Sequence, residues 1–327
     1  MFVGGVDVEN RVWLAPLAGI TVSGVRLFFR SLGAGLTHTE MISCAGLLHG
    51  SRKTVRMLSF RPQERPLVLQ LFAGDADTLI RGAEKALEGN PFDALGVNMA
   101  CPMPKVLKKG AGARLLESPE TAREMVESLG KLGLPVWVKT RKMPPGAAHD
   151  TVEFTHLLLE AGASSVAVHG RTPGQRYGGV ADREVVKRVA GSFPGFVAAS
   201  GDVFSAEDAA DYLEAGCSAV LAARGAVHDP FMIPRALEHC GYSVPFGAAG
   251  CFRAWKLGRL IDMGDDIADF DDPGIAVVLL KRFVSGIFRG LRGASEFRRT
   301  TALARDWPEL RKQLQEWQDY AERGEHT

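Results

Sequence analysis

The sequence contains no apolar run of the roughly 18 residues that a membrane-spanning helix requires, since Asp and Arg interrupt each hydrophobic stretch. Its N-terminal segment, MFVGGVDVENRVWLAP, also lacks the basic start and the long apolar core of a secretory signal. We therefore expect a protein that neither spans a membrane nor is exported. The oligomeric state stays open, with a monomer as the default expectation.

Cysteine is scarce, and its positions do not match a metal or disulfide framework. The chain has five cysteines, an odd number, and no two of them have CxxC spacing. Disulfide frameworks and zinc ribbons are therefore poor interpretations, and a reducing cytoplasm is the compartment that fits best. The five are Cys44, Cys101, Cys217, Cys240 and Cys251.

A large excess of one charge is also missing, because the formal net charge is only +1. The total hides an uneven distribution, in which aspartates between residues 262 and 272 offset a basic segment between 281 and 312. That basic segment is either a solvated helical surface or a face that follows phosphates. Its cations are Lys281, Arg282, Arg289, Arg292, Arg298, Arg299, Arg305, Arg311 and Lys312.

Up to about residue 240, short apolar runs alternate with longer helical patterns. The runs predict parallel strands buried on both faces, at 12–16, 36–41, 67–72, 94–98, 136–140, 165–169, 196–200 and 219–223. Helices are predicted between them, among others at 75–88, 119–132, 151–161 and 206–215. This alternation predicts an α/β protein with a (β/α)₈ TIM barrel, and a doubly wound open sheet is the alternative. An internal repeat favours the barrel, since LEAGASSV at 159–166 recurs as LEAGCSAV at 213–220.

After residue 240 the strand-like runs end and a helical pattern takes over. Segment 241–250 has three glycines and a proline, which is typical of a linker. Helices are predicted at 254–263, 274–289, 295–305 and 308–323. We therefore expect two domains, a barrel over 1–240 and a small helical bundle over 241–327.

The segment VNMACPMPKVLKKGAG at 97–112 is the most informative part of the chain. It places Cys101 after a buried strand, on a turn stiffened by Pro102 and preceded by Asn98. A lone cysteine is more often a small core residue. The basic loop that follows, with lysines at 105, 108 and 109, makes a reactive thiol the stronger interpretation here.

Chemistry in such barrels collects at the carboxyl ends of the strands, and nearly every predicted strand ends in a polar residue. Any one of these could be a satisfied core group, but together they fit a flavin. Gln70 can pair with the pyrimidine-like edge of the ring, and Lys139 can stabilise negative charge at N1 and O2. Lys139 has an alternative role as a Schiff-base lysine, although the neighbouring Arg141 suits an anion better. The last two strand ends, at 200–202 and 223–225, offer backbone N–H groups and an arginine for a phosphate.

The sequence resembles that of the tRNA-dihydrouridine synthases, which are flavin-dependent enzymes that reduce uracil in RNA. The resemblance covers about residues 14–224 and continues more weakly into the tail. It is carried by LAPLAGIT at 14–21, TEMIS at 39–43, LQLF at 69–72, NMACPMPKVLKKGAGARLL at 98–116, VKTR at 138–141 and VHGRTPGQRYGG at 168–179.

The resemblance implies an FMN-binding catalytic barrel, NADPH as the reductant of the flavin, and a helical domain that helps to hold tRNA. Cys101 matches the general acid that protonates uracil C5 while hydride reaches C6, and Asn98 and Arg141 match residues near the flipped uracil. The positions that match contacts to FMN are Pro16, Leu17, Ala18, Gln70, Lys139, His169, Ser200, Gly201, Asp202, Ala223 and Arg224.

The chain departs from the family pattern at three motif positions and in the segment KMPPGAAHD at 142–150. Ser200 replaces the usual Asn, Ala223 replaces a Gly, and Ala100 replaces the commoner Gly before Cys101. Each alanine adds a methyl group where the backbone approaches a ligand closely. Two alternatives therefore stand beside the synthase: an FMN barrel reductase of a small molecule, and an RNA-binding relative that has lost the flavin.

Overall fold

The computed structural model describes residues 1–244, 253–287 and 293–325. Its central element is a ring of parallel strands in the order β3-β11-β10-β9-β8-β7-β6-β4, with β5 paired to β6. A short antiparallel hairpin of β1 and β2 precedes the ring. The strands are β1 (Phe2–Val3), β2 (Val6–Asp7), β3 (Val12–Leu14), β4 (Thr37–His38), β5 (Ile42–Ser43), β6 (Leu67–Phe72), β7 (Ala94–Asn98), β8 (Val136–Arg141), β9 (Ser165–His169), β10 (Val197–Ser200) and β11 (Ala219–Ala222).

Backbone hydrogen bonds between β3 and the residues just before β4 close the ring. The N–H of Leu14 donates to the carbonyl of Leu36 at 3.1 Å, and the N–H of Gly35 donates to Val12 at 3.0 Å. The predicted (β/α)₈ TIM barrel is therefore confirmed, and the open doubly wound sheet is wrong.

The predicted strand at 36–41 is shorter than expected, because only β4 lies within it and β5 begins just beyond its end, after a break. At the break the N–H of Gln70 donates to the side-chain oxygen of Thr39 rather than to a backbone carbonyl. A side-chain oxygen has replaced a backbone acceptor in the hydrogen-bond ladder with β6. The hydrophobic periodicity of the sequence does not depend on this bond, so it could not reveal the break between β4 and β5.

The amino end of the barrel is plugged. The rings of Trp13 and Trp137 stack inside it with centroids 5.1 Å apart, and Trp137 Nε1 donates to the carbonyl of Gly4 in the hairpin at 2.8 Å. The valines of the hairpin, Val3 and Val6, join this interior cluster. With this end filled by apolar side chains, the opposite end of the barrel is the one that can form a site.

Helices surround the barrel between its strands and then form the tail. The barrel helices at the predicted positions begin and end within one or two residues of the prediction, and several begin at an Asp or Ser whose side chain caps the first turn. The helices are α1 (Ser23–Ser31), α2 (Cys44–Leu48), α3 (Arg52–Arg56), α4 (Ala76–Leu87), α5 (Pro104–Leu107), α6 (Pro119–Gly130), α7 (Thr151–Glu160), α8 (Arg183–Ser192), α9 (Ala206–Glu214), α10 (Arg224–His228), α11 (Met232–His239), α12 (Arg253–Phe270), α13 (Pro273–Ile287), α14 (Ala294–Leu303) and α15 (Trp307–Glu325).

The helical tail packs directly on the barrel through α1 and α12. Gly24 permits this close approach, because a Cβ there would lie 2.6 Å from Ile267 Cγ1. The N–H of Gly24 also donates to Asp271 at 3.1 Å, and Arg61 pairs with Asp266 at 2.7 Å. The predicted C-terminal helical region is confirmed, with α12 longer than expected. Most of the predicted linker, and Arg289 at the end of the second predicted tail helix, lie outside the described residues, and the domain boundary at 240 stays a prediction.

Across the described parts of the chain, none of the helices combines the length and the hydropathy that a bilayer span demands.

Candidate active site

A cavity of about 530 Å³ opens at the carboxyl ends of the barrel strands. Its volume is within the range of about 300–1,000 Å³ that is usual for small-molecule and cofactor sites. Every residue predicted for the site lines this one cavity. These residues are Pro16, Leu17, Ala18, Gln70, Asn98, Cys101, Lys139, Arg141, His169, Ser200, Gly201, Asp202, Ala223 and Arg224.

The thiol of Cys101 is held on a turn that Asn98 caps. Oδ1 of Asn98 accepts hydrogen bonds from the backbone N–H groups of Ala100 at 3.1 Å and Cys101 at 2.9 Å. On the other side, the carbonyl of Cys101 accepts from the N–H of Ala113 at 3.0 Å. Gly112 is needed beside it, because a Cβ there would lie 2.6 Å from that carbonyl oxygen. The predicted stiff turn is therefore confirmed.

The other described cysteines are placed differently. Cys44 and Cys217 are buried away from the cavity, and burial raises the pKa of each thiol to about 12. Cys240 is half-buried after the last barrel helix, and Cys251 lies outside the described residues. Within the described chain, Cys101 is therefore the cysteine that faces the cavity.

Asn98 also orients Gln70. Its Nδ2 donates to Oε1 of Gln70 at 3.0 Å, and both side chains are buried. The bond fixes which end of the Gln70 amide points to Asn98. It leaves Nε2 of Gln70 without an acceptor in the described chain, so this nitrogen is the donor that a ligand can use.

Lys139 lies beside Asn98 in the register of β7 and β8. Burial, reinforced by the positive charge of Arg141, lowers the pKa of Lys139 to about 7. No carboxylate of the described chain forms an ion pair with it. An anion or hydrogen-bond acceptor placed against Nζ would raise this pKa, so that Lys139 would be protonated at neutral pH. A low pKa also suits a lysine that forms a Schiff base. The guanidinium of Arg141 beside it favours the other interpretation, in which Lys139 binds an anion.

Arg141 joins two loops of the cavity. Its Nε donates to the carbonyl of Ala100 at 2.6 Å, and Nη1 donates to the carbonyls of Thr172 at 3.2 Å and Arg176 at 2.9 Å. The side chain thus ties the Cys101 turn to the loop after β9. Within the described chain, its Nη2 has no acceptor.

His169 contributes a neutral ring, neither nitrogen of which has a hydrogen-bond partner within the described chain. Burial, with the positive charges of Lys139 and Arg141, lowers the pKa of His169 to about 2, so the imidazole is uncharged at neutral pH. Its Nδ1 is buried and has no hydrogen-bond partner. A buried polar atom of this kind is usually satisfied by a ligand or a water molecule.

The loops after β10 and β11 form the far end of the cavity. Gly201 has a φ of +117° and lies against His169, and a Cβ on Gly225 would lie 2.2 Å from the carbonyl oxygen of Val203. Both positions therefore require glycine. They bring backbone close to the cavity where the sequence predicted a phosphate.

Asp202, although it lines the cavity, is occupied by two arginines. Its carboxylate accepts two hydrogen bonds of 2.7 Å from Arg171 and one of 2.8 Å from Arg224. The backbone N–H of Ala181 adds a fourth, at 2.8 Å. Burial alone would raise the pKa of Asp202, but these donors outweigh it and hold the pKa low. Asp202 therefore positions Arg224 rather than facing an anion.

Sequence reasoning missed Arg171, Tyr177 and Phe204. Arg171 is buried behind Asp202, and the guanidinium of Arg224 lies 5.3 Å from the ring centre of Tyr177 and 5.5 Å from that of Phe204. Arg171 and Tyr177 both belong to the motif VHGRTPGQRYGG, from which only His169 was selected because it ends a strand. Phe204 had no comparable signal.

The model of the dihydrouridine synthase family matches residues 13–322 of the chain. The chain belongs to the dihydrouridine synthase family. The resemblance predicted from the motifs is thereby confirmed, and so is the expectation of an enzyme.

Named relatives agree with this assignment. A "Probable tRNA-dihydrouridine synthase 1" of Synechocystis sp. is 34% identical over 240 residues, covering 72% of this chain and 67% of the relative. The "tRNA-dihydrouridine synthase B" of Pseudomonas aeruginosa is 31% identical over 303 residues, covering 90% and 89%. A "Probable tRNA-dihydrouridine synthase" of Treponema pallidum is 30% identical over 309 residues, also covering 90% and 89%.

A solved structure shares the fold of this dihydrouridine synthase family member. It is a variant of NCR from Zymomonas mobilis, with a TM-score of 0.50 and 16% sequence identity, and it covers 74% of this chain and 91% of its own. The likeness supports the barrel architecture alone.

The three residues that depart from the family pattern, Ala100, Ser200 and Ala223, all line the cavity. Ala223 has a φ of −123° and a ψ of −100°, and it directly precedes α10. Ser200 and Ala100 are buried. The non-glycine residues at positive φ within the described chain are instead Arg176 and Asp202.

Proposed function

We propose that this protein is an FMN-dependent tRNA-dihydrouridine synthase that reduces uridine to 5,6-dihydrouridine with NADPH as the reductant. The observation that carries the proposal is the single cavity in which the Cys101 thiol meets Gln70, Lys139 and His169 at the strand ends. We also expect a monomeric protein of the cytoplasm, with a catalytic barrel over 1–240 and an RNA-recognition domain over 241–327.

The chain's own groups fit FMN. Nε2 of Gln70, Nζ of Lys139 and the unpartnered Nδ1 of His169 are the polar groups that the edges of a flavin ring would satisfy. The apolar segment Pro16, Leu17 and Ala18 offers a surface for the flat ring. At the far end, Gly201, Gly225 and Arg224 suit the phosphate, since backbone N–H groups and a guanidinium bind anions well.

When bound, FMN would supply the hydride that adds to C6 of the uracil. The residues of the chain then do the remaining work. Cys101 donates its thiol proton to C5, which removes the negative charge that develops at C5 and O4, and the thiolate regains a proton from water. A thiol held against the reacting carbon can act as a general acid, since it carries a proton that it can give up in the transition state.

Asn98 and Arg141 would place the uracil against Cys101. Nη2 of Arg141 is free to donate to a uracil carbonyl, while its other nitrogens hold the Cys101 turn in place. The base has to leave its stack to reach this cavity, because the cavity lies inside the mouth of the barrel.

Binding of tRNA would draw on exposed cations. Lys105, Lys108 and Lys109 are exposed on the loop that follows Cys101. In the tail, Arg282, Arg298, Arg299 and Arg305 are exposed without an ion-pair partner in the described chain. Other members of the predicted basic segment are engaged: Lys281 donates to the carbonyls of Ala302 and Ala304, and Arg311 pairs with Asp265. Arg289 and Arg292 lie outside the described residues.

The deciding experiment compares Cys101→Ala with Cys240→Ala. Purified wild-type protein, loaded with FMN and supplied with NADPH and an unmodified tRNA transcript, should form dihydrouridine detectable by mass spectrometry. Cys101→Ala should keep its flavin absorbance and lose about 10²–10⁴-fold in rate, the usual contribution of a general acid. Cys240→Ala should react like the wild type.

Each alternative predicts a different result. A small-molecule reductase would consume NADPH with an added electrophile but leave tRNA unchanged. A relative that has lost the flavin would bind tRNA but stay colourless in the presence of FMN. Either result would exclude the proposed activity.

A further inference from the structure

A second cavity, of about 560 Å³, lies on the other side of the Cys101 loop. It is bounded by three segments that follow β5, β6 and β7, so it opens on the same face of the barrel as the active site. Its walls include His49, Thr54, Thr78 and Lys109. The Cys101 loop, at 99–111, is therefore a wall shared by both cavities.

Two segments that flank this cavity contain no acidic residue. Neither 41–63 nor 94–116 has an Asp or Glu, although the whole chain has 38 among 327 residues. Both segments are rich in cations. The exposed ones are Arg52, Lys53 and Arg56 on α3, and Lys105, Lys108 and Lys109 on the Cys101 loop. None of these six forms an ion pair within the described chain.

The nearest carboxylates are already engaged. Asp75 accepts hydrogen bonds from the N–H of Thr78 at 2.7 Å and from its hydroxyl at 2.9 Å. Asp77 pairs with Arg81 at 3.1 Å, and Glu40 accepts from the N–H of Gly19. Asp75 lines the cavity and keeps its negative charge, because it accepts only from Thr78, but the six cations outnumber it.

Close backbone contacts hold the two basic elements at a fixed separation. A Cβ on Gly74 would lie 2.1 Å from the carbonyl oxygen of Lys109, so the Cys101 loop fits tightly against the segment after β6. A Cβ on Gly46 would lie 2.8 Å from Oγ1 of Thr54, so α2 and the middle of α3 are equally close. The two elements that carry the cations are thus fixed against a polar groove, whose lining includes Thr54 of α3 and Lys109 of the Cys101 loop.

We infer that α3 and the Cys101 loop together form a second RNA-phosphate-binding surface, which guides the strand on one side of the target uridine across this groove. The inference rests on the proposed function and adds the cations of α3 to the basic groups named there, on the Cys101 loop and on the tail. Six exposed, unpaired cations spread over two elements fit the repeated phosphates of an RNA strand better than they fit one small anion. Such contacts position the strand without reading its sequence.

The test measures the binding of an unmodified tRNA transcript to the FMN-loaded protein across a range of salt concentrations. Arg52→Gln with Arg56→Gln should weaken binding several-fold. It should also reduce the slope of log affinity against log salt by about 1.5, since each lost phosphate contact contributes about 0.7–0.9. The conservative double variant Arg52→Lys with Arg56→Lys should keep the wild-type slope.

A matched control removes two exposed cations elsewhere, Lys131→Gln with Arg188→Gln, and should leave the slope unchanged. If wild-type protein reduces tRNA but the Arg52 and Arg56 double variant to Gln keeps the wild-type slope, this surface is wrong and the proposed function stands. If the wild type neither binds nor reduces tRNA, both are wrong. The flavin content of each variant separates a loss of RNA contact from a loss of folding.

Discussion

The carboxylate of Asp202 and the guanidinium of Arg171 form a two-point ion pair, with both N–O distances 2.7 Å and the Arg171 side chain only 2% exposed. Arg171 also donates to the carbonyls of Gly178 and Gly179, so it links the loop after β9 to the loop after β10. Through Asp202 it fixes Arg224, the cation proposed to bind the phosphate. Four predictions follow from this and neighbouring contacts.

Replacing Arg171 with Met should destabilise the protein and weaken FMN binding. Asp202 keeps Arg224 as a counterion but loses its two hydrogen bonds from Arg171, and a hydrogen bond to a charged group contributes about 1.5–3 kcal/mol. Urea unfolding of the FMN-free protein measures the first effect, and fluorescence titration with FMN measures the second. Arg123→Met, which breaks an exposed pair with Glu127, should change neither quantity appreciably.

Two substitutions of Asn98 should separate its two contacts. Asn98→Ala removes the acceptor for the Cys101 turn and the donor to Gln70, so we expect a loss of about 1–3 kcal/mol in the free energy of unfolding. Asn98→Asp keeps the acceptor and loses only the donor. It should therefore bind FMN more weakly than the wild type while its Cys101 turn stays ordered. Hydrogen exchange of the Ala100 and Cys101 amides measures the order of this turn. We expect Asn98→Asp to protect these amides as well as the wild type does. If Asn98→Asp loses as much protection as Asn98→Ala, the prediction is wrong.

Replacing Lys139 with Met should stabilise the FMN-free protein at neutral pH. The pKa of Lys139 is about 7 in the folded protein, against 10.5 for an ordinary lysine, so between these values the unfolded chain binds more protons than the folded one. Wild-type stability therefore rises with pH from about 7 to 10.5, and the burial penalty is complete below pH 7. Each pKa unit corresponds to about 1.4 kcal/mol, so the advantage of Met should be a few kcal/mol at pH 7. Urea unfolding at several pH values should show that advantage shrinking towards pH 10, and a constant difference would refute the assignment.

Adding a methyl group at Gly225 should damage the phosphate end of the cavity. In Gly225→Ala the new Cβ would lie 2.2 Å from the carbonyl of Val203 and 2.9 Å from Sδ of Met232, so backbone has to move. We expect a loss of about 1–3 kcal/mol in stability, together with weaker FMN binding. Gly191→Ala is the matched control, because it lies in helix α8 with no atom within 4 Å of the added Cβ. It should gain about 0.5–1 kcal/mol in thermal unfolding measurements.

The sequence was sufficient for the barrel because its signals are local. Buried parallel strands such as β6 and β7 are continuous apolar runs, and the helices between them begin at capping residues. The strand-end rule then brought residues from Pro16 to Arg224 to one cavity, since carboxyl ends of parallel strands share one face.

What the sequence could not supply depends on contacts between distant residues. Nothing local marks Arg171 as the partner of Asp202, or distinguishes Asp202 as a residue that holds an arginine from one that faces a ligand. The break between β4 and β5 depends on a hydrogen bond from Gln70 to Thr39, 31 residues apart. The engagement of Lys281 and Arg311 within the tail was equally invisible in a count of charges.

The hairpin and the stacked pair Trp13 and Trp137 have a consequence for the order of events in turnover. Within the described chain they fill the amino end of the barrel, so a small reductant would reach the flavin from the same carboxyl end that the RNA covers. On the proposed function, the nicotinamide and the uracil therefore have to visit in turn. Each tRNA has to depart before the next reducing equivalents can be loaded.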